Sequence, residues 1–64
     1  MIQISLEAAR VNAKLTQDEA AAKIGVAKQT LLNWEKGRSA PTITQSRLIE
    51  SVYGIPLENI FFEN

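Results

Sequence analysis

The fold is decided by residues 15–37, which read LTQDEAAAKIGVAKQTLLNWEKG. The stretch opens with TQDE, a capping box in which the hydroxyl of Thr16 accepts a hydrogen bond from the amide of Glu19, and the Glu19 carboxylate accepts one from the amide of Thr16. A helix is therefore predicted to begin at Gln17. It should end one or two residues before Gly25, because glycine can adopt the positive φ that stops a helix.

A second helix is predicted directly after this one, over about residues 28–36, with Gly37 just past its end. Its cap is weak, since Ala27 has no side-chain acceptor where serine or threonine would contribute about 1 kcal/mol. Only residues 25–27 connect the two helices. So short a connection forces a tight, near-perpendicular pair, and Ala21 is small where the helices must cross closely.

Shorter signals place the remaining elements around this helix-turn-helix. Ser5 can cap a first helix over about residues 6–13, after extended chain at Ile2 and Ile4. A second capping box, TITQ, begins a helix over residues 43–53. These signals predict helices on both sides of the central pair.

The C-terminal segment is predicted to be helical as well. Residues 57–62, LENIFF, should form one or two helical turns, because Pro56 stands where a first-turn amide has no partner. No stretch alternates between apolar and polar residues for long enough to predict a strand. The expected fold class is therefore all-α, a compact five-helix domain over residues 1–64.

The composition narrows the classes of function. A chain of 64 residues has room for one core and one domain. It contains no cysteine and no histidine, which excludes disulfides, thiolate and imidazole catalysis and ordinary zinc sites, so we expect no enzyme, metal or cofactor. No apolar run approaches the ~20 residues that cross a bilayer, and the opening MIQISLE lacks the features of a secretory signal. We therefore expect a cytoplasmic protein without a membrane partner.

The charges are balanced in total but unevenly distributed. All seven basic residues lie within residues 10–47, together with three of the seven acidic ones, which gives that part of the chain a net charge of +4. Residues 48–64 carry three acidic residues and no basic ones. A basic middle and an acidic end allow a polyanion to dock on one face.

The residues that project from the start of the second central helix are of types that read DNA bases. They are Lys28, Gln29, Leu32 and Asn33. Lysine donates to guanine O6 or N7, and glutamine or asparagine makes a bidentate pair with adenine N6 and N7, each good pair contributing roughly 1–3 kcal/mol of discrimination. The same residue types are common on solvated helix faces, so both interpretations remain open at this point.

An ordered set of residues runs through nearly the whole chain. It consists of Leu6-x3-Arg10, then Leu15-Thr16-Gln17-x3-Ala21-x3-Gly25-Val26-x3-Thr30-Leu31-x2-Trp34-Glu35-x-Gly37, then Pro41, Leu57 and Phe61. This set resembles the pattern of the Xre-type helix-turn-helix family, which includes the lambdoid phage repressors and Cro. The resemblance implies a lambda repressor-like domain of five helices that binds double-stranded operator DNA as a symmetric dimer, without enzymatic activity or a small-molecule substrate.

The resemblance also implies roles for individual residues. Base edges would be contacted by Lys28, Gln29 and Asn33, and the DNA backbone by Gln17, Thr30, Lys36 and Arg38. Arg10 and Glu35 occupy positions that family members often use for a structural ion pair between the first and third helices, and Trp34 is expected in the core. For Gln17 the alternative is an ordinary first-turn helix residue, and for Lys36 and Arg38 it is a solvated charge beside the loop.

Three residues depart from the family pattern. Lys14 stands where glycine often ends the first helix, Ala27 replaces a serine or threonine cap, and Leu32 is apolar on a face that is often polar. Leu32 would contact a thymine methyl group in the groove, or would be a scattered exposed leucine or one tucked against the loop.

The C-terminal apolar residues are too numerous to be buried wholly in so small a core. They are Ile55, Leu57, Ile60, Phe61 and Phe62. We expect part of this set to form a homodimer interface, as helix five does in similar repressors, with pairing that could occur only on DNA. For Leu57 and Phe61, closing the monomer core is the role expected first.

Two classes of function follow. The first is a sequence-specific DNA-binding transcriptional regulator, a phage or mobile-element repressor or Cro-like protein that acts in the bacterial cytoplasm on an inverted-repeat operator. The second is a protein-interaction module on the same fold, such as part of an anti-repressor or antitoxin. Lys28, Gln29 and Asn33 favour DNA, whereas Leu32 and the zero net charge keep the alternative open.

Overall fold

A computed structural model describes residues 3–62, so the expectation of extended chain at Ile2 lies outside the described residues. Within them, the chain forms four α-helices and one pair of short strands. The elements in chain order are β1 (Ile4–Ser5), α1 (Leu6–Asn12), α2 (Gln17–Ile24), α3 (Lys28–Glu35), α4 (Ile43–Tyr53), a 3-10 turn (Leu57–Asn59) and β2 (Ile60–Phe61).

The predicted helix starts are confirmed by their caps. Both capping boxes form in full: the Thr16 hydroxyl accepts from the Glu19 amide at 3.1 Å, and the Thr42 hydroxyl accepts from the Gln45 amide at 3.1 Å. The Ser5 hydroxyl accepts from the third residue of α1. At the start of α3, Ala27 makes no side-chain cap hydrogen bond, as its methyl side chain requires.

The helices end at residues whose backbone is in the left-handed conformation. Gly25 ends α2 with φ of 92° and Gly54 ends α4 with φ of 70°, and no atom lies close enough to exclude a Cβ at either position, so the positive φ alone accounts for glycine. The end of α1 is different, because Lys14 adopts φ of 62° without being glycine. The amides of Lys14 and Leu15 donate to the last turn of α1 in the usual two-bond termination.

The core lies where α1, α2, α3 and α4 meet. Its buried apolar residues are Leu6, Ala9, Ala20, Ala21, Ile24, Leu31, Trp34, Ile49, Tyr53 and Ile60. Three of them are alanines, which allows the helix axes to approach closely in a chain this small. The predictions that Ala21 lies at the crossing of α2 and α3 and that Trp34 belongs to the core are consistent with this packing.

The predicted fifth helix is wrong. Residues 57–59 make a single 3-10 turn, after which β2 runs parallel to β1, with Ile4 opposite Ile60 and Ser5 opposite Phe61. Residues 60–61 are extended because β-branched and aromatic residues favour strands. Pairing with the N-terminal segment also gives the backbone N–H and C=O groups hydrogen-bond partners and buries Ile60. The expectation that no strand forms was therefore also wrong.

The base of this C-terminal segment is fixed by two polar contacts. The Glu50 carboxylate of α4 accepts a hydrogen bond from the Leu57 amide at 3.0 Å, and the Gln3 side chain donates to the Glu58 carbonyl at 3.0 Å. The two ends of the described chain are thereby joined next to α1. Among residues 3–62, no helix is both long enough and apolar enough to cross a membrane.

Candidate nucleic-acid interface

The helix-turn-helix is formed by α2 and α3, and its geometry is set by the buried side of α3. Leu31 is fully buried and Trp34 is 2% exposed, so one side of α3 is packed against the core. Lys28 and Gln29 are exposed on the opposite side, while Leu32 and Asn33 are half-buried. Four side chains predicted to read bases therefore lie at or next to the exposed side of α3.

A buried ion pair joins α1 to the end of α3. The Arg10 Nε donates to the Glu35 Oε2 at 2.8 Å, and the two side chains are 9% and 4% exposed. The Arg10 Nη1 also donates to the Leu15 carbonyl at 2.9 Å, which ties the loop after α1 to the same guanidinium. The ion pair expected from the family positions is thus present in the structure, and its burial makes it a structural feature of the core.

The second oxygen of Glu35 connects this pair to α2. The Gln17 Nε2 donates to the Glu35 Oε1 at 3.3 Å, so both carboxylate oxygens accept hydrogen bonds, one from α1 and one from α2. Gln17 is half-buried at the first position of α2. Sequence reasoning assigned Gln17 to the DNA backbone or to an ordinary first-turn position, and this intramolecular hydrogen bond was missed because it depends on how α2 crosses α3.

Tyr53 lies in the core near the ion pair. Its hydroxyl is buried and has no hydrogen-bond partner among the described residues. Burial and the negative charge of Glu35 raise the pKa of the Tyr53 phenol to about 12, with Arg10 opposing the shift. The phenol is therefore neutral at physiological pH, and no part of the sequence pattern singled it out.

Polar contacts join the exposed side chains of α3 to each other and to α2. The Gln29 Nε2 donates to the Asn33 Oδ1 at 3.1 Å, one helical turn further on. The Lys28 Nζ lies 3.8 Å from the Asp18 Oδ2 in the first turn of α2, and both of these side chains are at least half exposed. Two polar contacts therefore link the side chains on the exposed side of α3.

Three candidate backbone-contacting residues lie within α3 or directly after it. Thr30 is half-buried within α3, whereas Lys36 and Arg38 are exposed directly after it. The turn that carries them is held by hydrogen bonds from the Arg38 amide to the Asn33 carbonyl at 2.9 Å and from the Gly37 amide to the Trp34 carbonyl at 3.2 Å. Gly37 accordingly has φ of 76°. The two cations are therefore placed at the carboxyl end of α3 by the backbone of the turn.

The predicted dimer residues lie in different environments. Ile60 is buried in the core and cannot contribute a surface, which corrects its assignment to an interface; Ile55 and Phe62 are half-buried and pack against the core. Leu57 is half-buried, and Phe61, which was expected first to close the core, is 42% exposed. The predicted interface is thus limited to the exposed surface of this segment, which is not helical beyond the 3-10 turn.

Other exposed apolar side chains were not anticipated. Ile43 is 77% exposed at the start of α4, Val11 is 59% exposed on α1, and Leu48 is 42% exposed on α4. The three lie on two separate helices. Within residues 3–62, no group of three acidic side chains is placed to hold a metal ion.

Comparison with known proteins places this geometry in a family. The sequence pattern of the helix-turn-helix family matches residues 6–60. This chain is 38% identical to an uncharacterized HTH-type transcriptional regulator of Methanocaldococcus jannaschii over 47 residues. The match covers 73% of this chain and 71% of that protein. The sequence is 37% identical over 51 residues, 80% of this chain, to the cryptic phage CTXphi transcriptional repressor RstR of Vibrio cholerae, but spans only 46% of that protein. It is 33% identical over 52 residues, 81% of this chain, to an uncharacterized HTH-type transcriptional regulator of Archaeoglobus fulgidus, 73% of which is covered. With α2 and α3 forming the motif within the matched range, the chain belongs to the Xre-type helix-turn-helix family of transcription regulators.

Proposed function

We propose that this protein binds double-stranded operator DNA in a sequence-specific manner and regulates transcription as a phage or mobile-element repressor or Cro-like protein. The observation that carries the proposal is the exposed side of α3, where Lys28, Gln29 and Asn33 stand together while Leu31 and Trp34 fix the opposite side in the core. We further propose that residues 1–64 act as one domain in the cytoplasm, by binding alone, without catalysis or a cofactor.

The geometry supports insertion of α3 into the major groove. That groove is about 12 Å wide and admits one α-helix, whose first residues then face the base edges. Lys28 and Gln29 are the first two residues of α3. Donors and acceptors on these side chains match the groups that bases present in this groove, whereas Leu32 offers an apolar contact to a thymine methyl.

Contacts to phosphates would orient the protein without reading sequence. We assign them to Gln17, Thr30, Lys36 and Arg38, which lie at the start of α2, within α3 and directly after it. Arg38 and Lys36 are exposed basic side chains at the end of α3, where counterion release would make binding depend on salt. Because the chain as a whole has no net charge, the attraction to DNA depends on where its cations lie, and these two directly follow α3.

The proposal includes a homodimer. One α3 covers only a few base pairs, and two of them in successive major grooves would lie about 34 Å apart on one face of the DNA. The described chain measures 31 × 23 × 20 Å, so two copies placed end to end along the longest axis come near that separation. We place the contact on the exposed surface of the C-terminal segment, around Phe61 and Leu57, with Ile55 and Phe62 behind them; an interface this small fits pairing that occurs only on DNA.

A salt-titrated binding assay tests the DNA proposal. Fluorescence anisotropy would compare DNA taken from upstream of the protein's own gene with a shuffled duplex of equal length. We expect tighter binding to the upstream DNA and affinity that falls linearly with the logarithm of salt concentration. Equal, weak binding to both duplexes would reject sequence-specific recognition.

Footprinting tests the dimer. We expect a footprint on two half-sites whose centres are about 10–10.5 base pairs apart, and Phe61→Glu should reduce it to single half-sites or abolish it. Val11→Glu is the matched control, since Val11 is also exposed but lies on α1. A single-half-site footprint for the parent chain would refute the dimer, and full cooperative binding by the Phe61 variant would refute this interface.

A protein-interaction module remains the second candidate. The observations that favour it are the zero net charge and the apolar Leu32 in the middle of the proposed reading surface. A protein that used α3 to bind a protein partner would show no preference among duplexes in the anisotropy assay. The same measurement therefore distinguishes the two candidates.

A further inference from the structure

The hydrogen bond between Gln29 and Asn33 limits what each side chain can read. The Gln29 Nε2 donates to the Asn33 Oδ1 at 3.1 Å, along the exposed side of α3. A primary amide has two N–H donors on its nitrogen and one carbonyl oxygen, which has two lone pairs that can accept. Forming this bond inside the helix therefore removes one donor from Gln29 and directs the carbonyl of Asn33 along the helix toward Gln29.

Gln29 keeps the donor and the acceptor that pairing with adenine requires. Within residues 3–62, its Oε1 accepts no hydrogen bond, and the second hydrogen on its Nε2 has no acceptor. Adenine presents one donor, N6, beside one acceptor, N7, in the major groove. The free groups of Gln29 therefore match adenine while the bond to Asn33 stays intact.

Asn33 is less suited to adenine while its oxygen accepts from Gln29. Reading adenine needs its Oδ1 and Nδ2 on the same base edge, but its Oδ1 is turned toward Gln29. The Nδ2 group, with its two donors, takes no part in the hydrogen bond to Gln29. A group with only donors matches guanine, which presents the two acceptors O6 and N7, better than thymine, which presents one acceptor.

We propose that Gln29 and Asn33 act as one hydrogen-bonded unit that reads adenine through Gln29 and guanine through Asn33 at neighbouring positions of each operator half-site. This inference rests on the proposed function, and it extends that function to part of the operator sequence. Asn33, taken alone, would be expected to pair with adenine. Gln29 is thus the residue that determines the specificity of Asn33.

Selection from a pool of duplexes with randomised positions tests the inference. For the parent chain we expect two neighbouring enriched positions, adenine and guanine, each preferred by about 5- to 150-fold. Gln29→Met keeps the length of the side chain and removes both amide groups. It should abolish the preference under residue 29 and release Asn33, so that the guanine position changes to adenine.

Two further variants complete the test. Asn33→Asp retains an acceptor for Gln29 and loses its donors, so it should lose the guanine preference and keep the adenine. Gln17→Met is the matched control for the glutamine replacement, since Gln17 lies on α2, and it should weaken all duplexes without changing the preferred bases.

The outcomes separate this inference from the proposed function. A parent site with guanine under Gln29 and adenine under Asn33 would overturn the assignment, because it requires the hydrogen bond to run in the opposite direction. Guanine retained by Gln29→Met would overturn the coupling. In both cases the chain still selects an operator and the proposed function stands. Absence of any enriched sequence for the parent chain would instead reject the proposed function and this inference with it.

Discussion

Replacing Arg10 should destabilise the protein more than any exposed substitution. Arg10→Met keeps much of the apolar length of the side chain but removes the 2.8 Å contact to Glu35 and the hydrogen bond to the Leu15 carbonyl. The Glu35 side chain, only 4% exposed, is then left with the 3.3 Å hydrogen bond from Gln17. An unpaired buried carboxylate of this kind costs about 3–5 kcal/mol.

That loss is large on the scale of the whole chain. At about 0.05–0.15 kcal/mol per residue, a chain of 64 residues is stable by roughly 3–10 kcal/mol. Arg10→Met should therefore be partly unfolded at room temperature, or have a much lower denaturation midpoint. Urea denaturation followed by circular dichroism measures the change in the free energy of unfolding.

A double-mutant cycle assigns the loss to the pair. Glu35→Gln alone leaves the guanidinium without its carboxylate, whereas Arg10→Met with Glu35→Gln removes both charges, so the double variant should lose much less than the sum of the two single losses. Glu7→Gln is the control, because Glu7 is a second acidic neighbour of Arg10 and its side chain is 64% exposed. Its Oε2 lies 3.8 Å from the Arg10 Nη2, and the variant should lose less than about 1 kcal/mol of unfolding free energy. A coupling energy near zero between residues 10 and 35 would refute the reasoning.

Four other predictions concern stability and charge. Lys14→Gly should raise the free energy of unfolding by up to about 1 kcal/mol, because Lys14 has φ of 62°; chemical denaturation against Lys14→Ala, which should bring no gain, checks this. Asp18→Asn should strengthen binding to all duplexes alike and steepen the salt dependence, because it frees the Lys28 ammonium; an unchanged slope in the anisotropy assay would contradict it. Arg38→Ala should reduce that slope by about one unit, and an unchanged slope would place Arg38 off the DNA. Stability should also fall as pH rises from 10 to about 12, since the folded state keeps the Tyr53 proton that the unfolded state loses near pH 10; Tyr53→Phe should remove this part of the pH dependence, and persistence of the whole slope would disprove the cause.

The helices could be predicted because their signals are local. A capping box and a following glycine determine both ends of α2 and of α4, and these signals lie within one helix and its flanking residues. The ion pair between Arg10 and Glu35 was reached through the family pattern. Helical periodicity in the sequence would not by itself have predicted a contact between two residues 25 positions apart.

The strand pair could not be predicted in the same way. Each strand has two residues, and Ile4 pairs with Ile60 across almost the whole length of the chain. No periodic pattern fits in two residues, and the local residues after Pro56 are also compatible with a helical turn. The tertiary contact with the N-terminal segment decided the conformation there.

Two hydrogen bonds of the site differ in how far they could be foreseen. The bond between Gln29 and Asn33 joins residues four apart on a helix, a spacing known to bring glutamine and asparagine together, so the sequence held that signal. The bond from Gln17 to Glu35 has no such spacing, because its partners lie on different helices. Its existence depends on the crossing of α2 and α3.

The structure separates the residues of the proposed reading surface from those that hold the fold, with one overlap. Gln29 and Asn33 hydrogen-bond to each other on the exposed side of α3, so replacing them should change recognition with little effect on stability. Gln17 is different, because the side chain proposed to contact a phosphate also donates to the buried Glu35. A hydrogen bond to a charged group contributes about 1.5–3 kcal/mol, and its 3.3 Å length places it at the weak end. Loss of DNA binding in a Gln17 variant therefore has two sources, the lost phosphate contact and a loosened crossing of α2 and α3, and only the stability measured on the same variant tells them apart.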